Sequence, residues 1–441
     1  MTNYVIIGNS MAANAAAARI HSLDAESPIT LISDEPDLFY SRCGLMYYVM
    51  DHCWKRDLYI ADREHYRRLN ATLVHDKVTG VNAEAHELQL ESGGTMAYDK
   101  LLIASGTTPY KLGAGNEDAD GIQDFFTLAD ADKMLAAAQR ARRAVVVGGG
   151  LIGAEAAEVL HTLKIPTDFL IREDYFFPIL CSEAQGRIIE RRFEHHGISM
   201  HLGRLVDHFE KDDAGHVRAV VDDAGDRYEA DLVMRCIGVG PTIWFLEGSG
   251  VETDTGVLVD DRLKNKAPDV WAAGDCAEIQ FPGRERATIQ KLWYTAQPQG
   301  WAAGENMAGG DTKYELMTPY TSAMFMDLDF CSYGEMPAPW NDLQEQSVTA
   351  PNEIDCARLI HDGERVMGAS FLGTGLTKQD IEHLVDSSLS VPEAVETLQR
   401  VLGGAILDRA PRARIAEQRR LSRRPVFWPF GDRKTWRRDC L

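Results

Sequence analysis

Ala144-Val145-Val146-Val147-Gly148-Gly149-Gly150-Leu151-Ile152-Gly153 is the stretch that decides the fold. Four apolar residues read as a buried strand, and the full GxGxxG after them opens an alanine-rich helical run over 154–163. A strand, turn and helix in that order set a pyrophosphate against the free N–H groups of a helix start. Gly148 makes the tight turn, Gly150 lets backbone approach the phosphates, Gly153 lets helix pack on strand, and Leu151 and Ile152 complete the binding turn. The next apolar run, Thr167-Asp168-Phe169-Leu170-Ile171, ends in Arg172 where an acid would mark NAD. Arg172 suits a 2′-phosphate, so NADPH is favoured over NADH, with Glu173 and Asp174 opposing that charge.

Outward from this unit, the chain carries a second, weaker version of the same pattern at its start. Tyr4 to Gly8 is a short strand, and Gly8-Asn9-Ser10-Met11-Ala12-Ala13 follows as GxSxxA before an alanine-rich helix. Ser10 keeps the backbone near a pyrophosphate and Ala13 permits close helix packing. A second strand, Ile29 to Ser33, ends in Asp34 and Glu35, placed to accept from a ribose. Two Gly-marked crossings link the folds: Ala104-Ser105-Gly106-Thr107-Thr108-Pro109 outward, and Ile237-Gly238-Val239-Gly240-Pro241 on the return. Further on, Ala273-Gly274-Asp275 presents an acid at a strand end, placed to accept from the hydroxyls of a flavin side chain.

The expected fold is therefore α/β, with two Rossmann-like dinucleotide-binding domains and a C-terminal α+β module. The expected division is 1–112 and 245–317 for the first domain, 113–244 for the inserted one, 318–405 for the third and 406–441 for a tail. Strands are expected over 322–329, 356–361 and 366–372, then one helical pattern over 379–401.

Between the first strands and the crossing lies Tyr40-Ser41-Arg42-Cys43-Gly44-Leu45-Met46-Tyr47-Tyr48. Cys43 precedes an apolar run that reads as helical, so a helix N-terminus and the neighbouring Arg42 are expected to favour its thiolate. The other reading is a buried cysteine packed as a small hydrophobe.

Eight cysteines are scattered with no CxxC and no paired metal spacing, which argues for a reducing compartment and against zinc or an iron–sulfur cluster. A formal charge of -21 makes nucleic acid an unsuitable partner for the body of the chain. No window is long and apolar enough for a membrane span, and the chain opens directly into a strand, so a cytoplasmic protein beginning at Met1 is expected. From Asp408 to Leu441, eleven Lys and Arg stand against four Asp and Glu, interleaved with aromatics and ending near Cys440. This basic tail suits an acidic electron-transfer partner, anionic lipid or the chain's own acidic surface.

In their order along one chain, Gly8, Ser10, Ala13, the 104–109 link, Gly148 to Gly153, Ile237-Gly238 and Ala273-Gly274-Asp275 resemble the flavoprotein pyridine nucleotide-disulfide oxidoreductases. The resemblance covers nearly everything to about residue 405. It implies FAD on the N-terminal fold, with Arg42 and Val78 among its contacts, NADPH or NADH on the inserted fold, a C-terminal interface domain and a homodimer. It also implies hydride transfer near Glu155. Cys43-Gly44-Leu45 with Tyr47-Tyr48 is similar to the single-cysteine branch of coenzyme A-disulfide reductases, NADH oxidases and NADH peroxidases. The histidine of the peroxidases would fall near Ser10 or Met11, neither of which is an acid or base. Tyr40-Ser41-Arg42 resembles the Tyr-x-Arg-Pro element of rubredoxin, ferredoxin and nitrite reductase flavoproteins. Three functions follow: reduction of a small disulfide or persulfide at Cys43, delivery of electrons to a rubredoxin, ferredoxin or partner subunit, and slow regulatory binding of NAD(P)H.

Overall fold

Short β-branched runs form strands buried on both faces, as parallel sheets between helices require. In the computed structural model, which describes residues 1–403 except 339, 377 and 388, every residue of strand Tyr4–Ile7 is buried. The basic tail and Cys440 lie outside the described residues. Tyr4–Ile7 pairs in parallel with Ile29–Ser33 on one side and Lys100–Ile103 on the other, Tyr4 lying opposite both Ile29 and Lys100. Ala71–His75 closes one edge of this sheet and Val270–Ala272 the other. Because that last strand arrives from far along the chain, the second parallel sheet is an insertion within the first fold. Its order is Ser199–Leu202, Thr167–Ile171, Ala144–Val147, Leu232–Arg235 and Ile122–Gln123. The two crossings, Thr107–Pro109 and Val239–Pro241, pair antiparallel.

Both strand-to-helix turns need glycine for two reasons. Gly8 has φ +117°, and a Cβ there would stand 2.2 Å from the Ala104 carbonyl oxygen. Gly148 has φ +109°, with a Cβ 2.4 Å from the Cys236 carbonyl oxygen. Each turn is thus pressed against the end of the neighbouring strand, in a backbone region that a side chain disfavours.

Helix Met11–Leu23 packs on helix Trp293–Met307, which carries Pro298 in its second turn. Gly300 and Gly304, one turn apart, allow the approach: a Cβ on Gly300 would lie 2.1 Å from the Ala12 carbonyl oxygen, and one on Gly304 2.6 Å from that of Ala16. Residues 40–50 pack against the inserted unit. Tyr40, Leu45, Met46, Val49 and Met50 share a core with Leu128, Ala131 and Met134 of the inserted unit.

The third unit is an antiparallel sheet in the order Tyr320–Phe325, Leu328–Gly334, Val366–Leu372, Cys356–His361, Gln344–Thr349. The single helical pattern expected over 379–401 is two helices, Lys378–Asp386 and Val391–Gly403. Ser390 starts the second: its N–H and hydroxyl both donate to Glu393, and Pro392 occupies a first-turn position that needs no N–H. Among the described residues no helix is long and apolar enough to cross a membrane.

Candidate functional site

The carboxyl ends of both parallel sheets open into one cavity of about 910 Å³. Gly8, Ser10, Asp34, Glu35, Ala104, Gly106, Gly274 and Asp275 reach its wall from the first fold, and Arg42 and Cys43 from the segment after it. Gly148, Gly150, Leu151, Ile152, Arg172 and Gly238 reach it from the inserted fold. Four expected site residues are not on the wall. Ala13 is fully buried in the first core, and Val78 lies in the same core. Gly153 packs against its own turn, where a Cβ would meet the Gly148 carbonyl oxygen at 2.0 Å. Glu155 sits one turn into helix Leu151–Thr162, within electrostatic reach of Cys43.

The donor set fits two dinucleotides. Helices Met11–Leu23 and Leu151–Thr162 both start at the cavity, neither N-cap residue gives a side-chain cap, and neither first turn carries an acid. Their free N–H groups and positive dipole ends are therefore available to phosphates. A Cβ at Gly150 would meet nothing within 4 Å, so the turn opens onto free space.

The electrostatics around Cys43 run against the expected thiolate. Cys43 lies in a 3₁₀ turn, Arg42–Gly44, ahead of a helix of only five residues, Leu45–Val49. Arg42 is committed elsewhere. It pairs with Glu35, donates to the Tyr40 hydroxyl at 2.8 Å and to the Phe126 carbonyl at 3.1 Å, and lies over the Tyr40 and Phe126 rings. Tyr40 in turn donates to Glu35 at 2.6 Å and accepts from the Leu128 N–H at 3.0 Å. Arg42 thus ties the first fold to the inserted one, and Glu35 is held by Arg42 and Tyr40. Surrounding protein, and then the Glu155 charge, push the Cys43 thiol up to about 12. The residue nevertheless lines the cavity, and among the described cysteines it is the exposed one. Burial also pushes Glu155 up to about 7, with the nearby Glu158 charge adding to it. Asp275 is pushed up to about 6 by burial, against the pull of Lys291 and Arg42.

Several wall residues had no readable signal. Trp293 lines the cavity and stacks on Phe39, ring centroids 5.8 Å apart. Lys291 lines it too, its ammonium donating to the Val239 carbonyl at 3.1 Å. Gln299 accepts from the Gly274 N–H at 2.7 Å and so fixes the turn that carries Asp275. Arg172 reaches the wall with its Nε donating to Glu173 at 2.7 Å, and Arg204 joins it from a different strand end.

Two parallel sheets sharing one cleft at their carboxyl ends, each with an uncapped glycine turn aimed into it, define a flavoprotein that also binds a nicotinamide dinucleotide. The sequence profile described as pyridine nucleotide-disulphide oxidoreductase matches residues 2–300, and the chain belongs to that family. It is an FAD-dependent NAD(P)H oxidoreductase. Epsilon, a subunit of the NADH-dependent phenylglyoxylate dehydrogenase of Aromatoleum evansii, is 31% identical over 343 residues, covering 77% of this chain and 80% of that one. A nitrite reductase [NAD(P)H] of Bacillus subtilis is 25% identical over 395 residues, covering 88% of this chain but 48% of that protein, so the chain spans about half its length. In fold, a NAD-dependent persulfide reductase from A. fulgidus superposes with a TM-score of 0.78 at 23% identity, covering 90% of this chain and 77% of that one.

Proposed function

We propose that the protein uses NADPH or NADH to reduce a small disulfide or persulfide at Cys43. What carries this reading is the position of the thiol: Cys43 is exposed on the cavity wall, within electrostatic reach of Glu155 and Asp275. Bound FAD supplies acceptance of hydride from the nicotinamide and return of the electron pair. The chain's own residues do the rest. The Gly8 and Gly148 turns hold the two pyrophosphates at helix starts. Cys43 gives up its proton and attacks one sulfur of the substrate, whose S–S bond breaks; the departing sulfur takes a proton, and Cys43 is left in a mixed disulfide. Two electrons and two protons then cleave that bond, restoring the Cys43 thiol and freeing the second product as a thiol. Glu155, held near neutrality, is the group suited to hold the proton that Cys43 releases.

In this reading residues 1–112 and 245–317 bind FAD, 113–244 bind the nicotinamide dinucleotide, and 318–405 pair two copies as a homodimer. A second reading is electron delivery to a ferredoxin-like protein or a partner subunit, without use of Cys43. It is favoured by the thiol being held protonated, and by the relative that is itself a subunit of an NADH-dependent dehydrogenase.

Cys43→Ser separates the two. The first reading predicts that disulfide or persulfide turnover falls by about a hundredfold or more, while reduction of bound FAD by NAD(P)H persists. Anaerobic titration of protein first treated with a small disulfide, so that Cys43 stands in a mixed disulfide, should show two extra electrons per flavin in the wild type alone. Identical titrations, with reduction of a protein acceptor intact in both, would transfer the assignment to electron delivery.

A further inference from the structure

The strand end that carries Arg172 does not stand alone. Two backbone bonds join it to the next strand end: Gly203 N–H donates to the Glu173 carbonyl at 3.0 Å, and Arg204 N–H to the Ile171 carbonyl at 3.0 Å. They bring Arg204 beside Arg172, and both side chains line the cavity together with Glu173.

Arg204 is also anchored from behind. Its Nη1 lies 3.4 Å from Asp222 Oδ2 and 3.2 Å from Asp226 Oδ2. The Asp222 side chain has no exposed surface, and it accepts from the backbone N–H groups of Ala224 at 3.0 Å and Asp226 at 2.8 Å and from the Tyr228 hydroxyl at 2.9 Å. A carboxylate held by that many donors is a fixed point. It orients one edge of the guanidinium, and Nε and Nη2 of Arg204 make no hydrogen bond to the described residues. Arg172 is similar, with Nε held by Glu173 and both Nη atoms free of such bonds.

We propose that Arg204 acts with Arg172 as a two-guanidinium clamp for the 2′-phosphate of NADPH, which makes Arg204 a specificity-determining residue for the nicotinamide dinucleotide. The inference rests on family membership and not on the chemistry assigned to Cys43. Two planar forks whose inner edges are held by carboxylates present their remaining donors to a compact dianion, the geometry in which guanidinium binds phosphate best. Glu173 is the competing group, since a free carboxylate there would take the ribose diol of NADH instead. Its Oε1 is already used by Arg172, which weighs toward the phosphate.

Calorimetric titration of the FAD-loaded protein with 2′,5′-ADP and with 5′-AMP isolates the 2′-phosphate without turnover. The wild type is expected to bind 2′,5′-ADP about tenfold or more tightly than 5′-AMP. Arg204→Gln retains a donor for Asp222; with FAD content and circular dichroism unchanged, it is expected to lose most of that preference while binding 5′-AMP as before. Equal affinity of the wild type for the two nucleotides, or binding of neither, overturns the proposal. So does an Arg204→Gln protein that keeps the full preference or loses both affinities equally.

Discussion

The two strand-to-helix turns of this molecule meet the same demand with different residues. Gly8 and Gly148 are equivalent, each at positive φ against a strand-end carbonyl. The middle positions are nearly superimposable in backbone: Ser10 at φ -109°, ψ -158° and Gly150 at φ -93°, ψ -174°, extended conformations open to any residue. The third position differs. Gly153 cannot carry a Cβ, whereas Ala13 is accommodated, fully buried, in the first helix. The first fold places its close approach elsewhere, between helices, where Gly300 and Gly304 press on Ala12 and Ala16. A dinucleotide motif therefore records only the helix–strand contact. The tightest contact of the first fold joins residues far apart in sequence.

That comparison breaks most directly at the tightest contacts. Gly300→Val sets a side chain 2.1 Å from backbone that cannot swing away, so the two helices must part. We expect a loss of about 3 kcal/mol or more, read by thermal unfolding, together with release of FAD. Gly153→Val makes an equally tight clash at 2.0 Å inside the second turn. It should abolish NAD(P)H binding while the yellow colour of bound FAD remains. If Gly300→Val keeps FAD and the wild-type melting temperature, the helix pair is not the constraint argued here.

The same contrast explains what was legible in the sequence. Parallel strands buried on both faces are short apolar runs, so Tyr4–Ile7 and Ala144–Val147 announce themselves, and their glycine turns follow at fixed spacing. The wall residues that those turns carry, from Gly8 to Asp275, were legible for that reason. Arg204, Lys291 and Trp293 were not, because they arrive from other elements and no local spacing encodes the meeting. Cys43 is legible as a candidate, but the thiolate expected there is opposed by burial. Arg42 is one residue away in sequence, yet Glu35 and Tyr40 hold its guanidinium. Adjacency in the chain says little about where a long side chain places its charge.

Glu155 and Asp275 allow the comparison to be sharpened by pH, one belonging to each fold. Burial raises both, to about 7 and about 6. Between its ordinary value and the raised one, each keeps its proton in the folded chain after the unfolded chain has lost it. Stability is therefore fully present below about pH 4 and declines as pH rises toward 7. In ligand-free protein each group should account for on the order of 2 kcal/mol of that decline. Glu155→Gln should flatten the upper part of the urea-midpoint profile and Asp275→Asn the lower part. A flat wild-type profile between pH 4 and 8 would mean that neither carboxyl is held as described.

The smallest effect is expected from restoring the missing glycines of the first turn. Ser10 makes no capping bond, and its backbone angles need no glycine, so Ser10→Gly removes little beyond a hydroxyl. The cost should be a few tenths of a kcal/mol. Ala13→Gly gives up helix propensity and buried packing, about 1 kcal/mol. Neither change opens the turn further, because Gly8 already supplies the positive φ and the close contact with Ala104. FAD affinity, measured by titrating ligand-free protein, should stay within about threefold of wild type in the double variant. A large tightening would show that the Ser10 hydroxyl or the Ala13 methyl obstructs the pyrophosphate. The weaker motif would then be a degraded site, not an equivalent solution whose close contact has moved to Gly300.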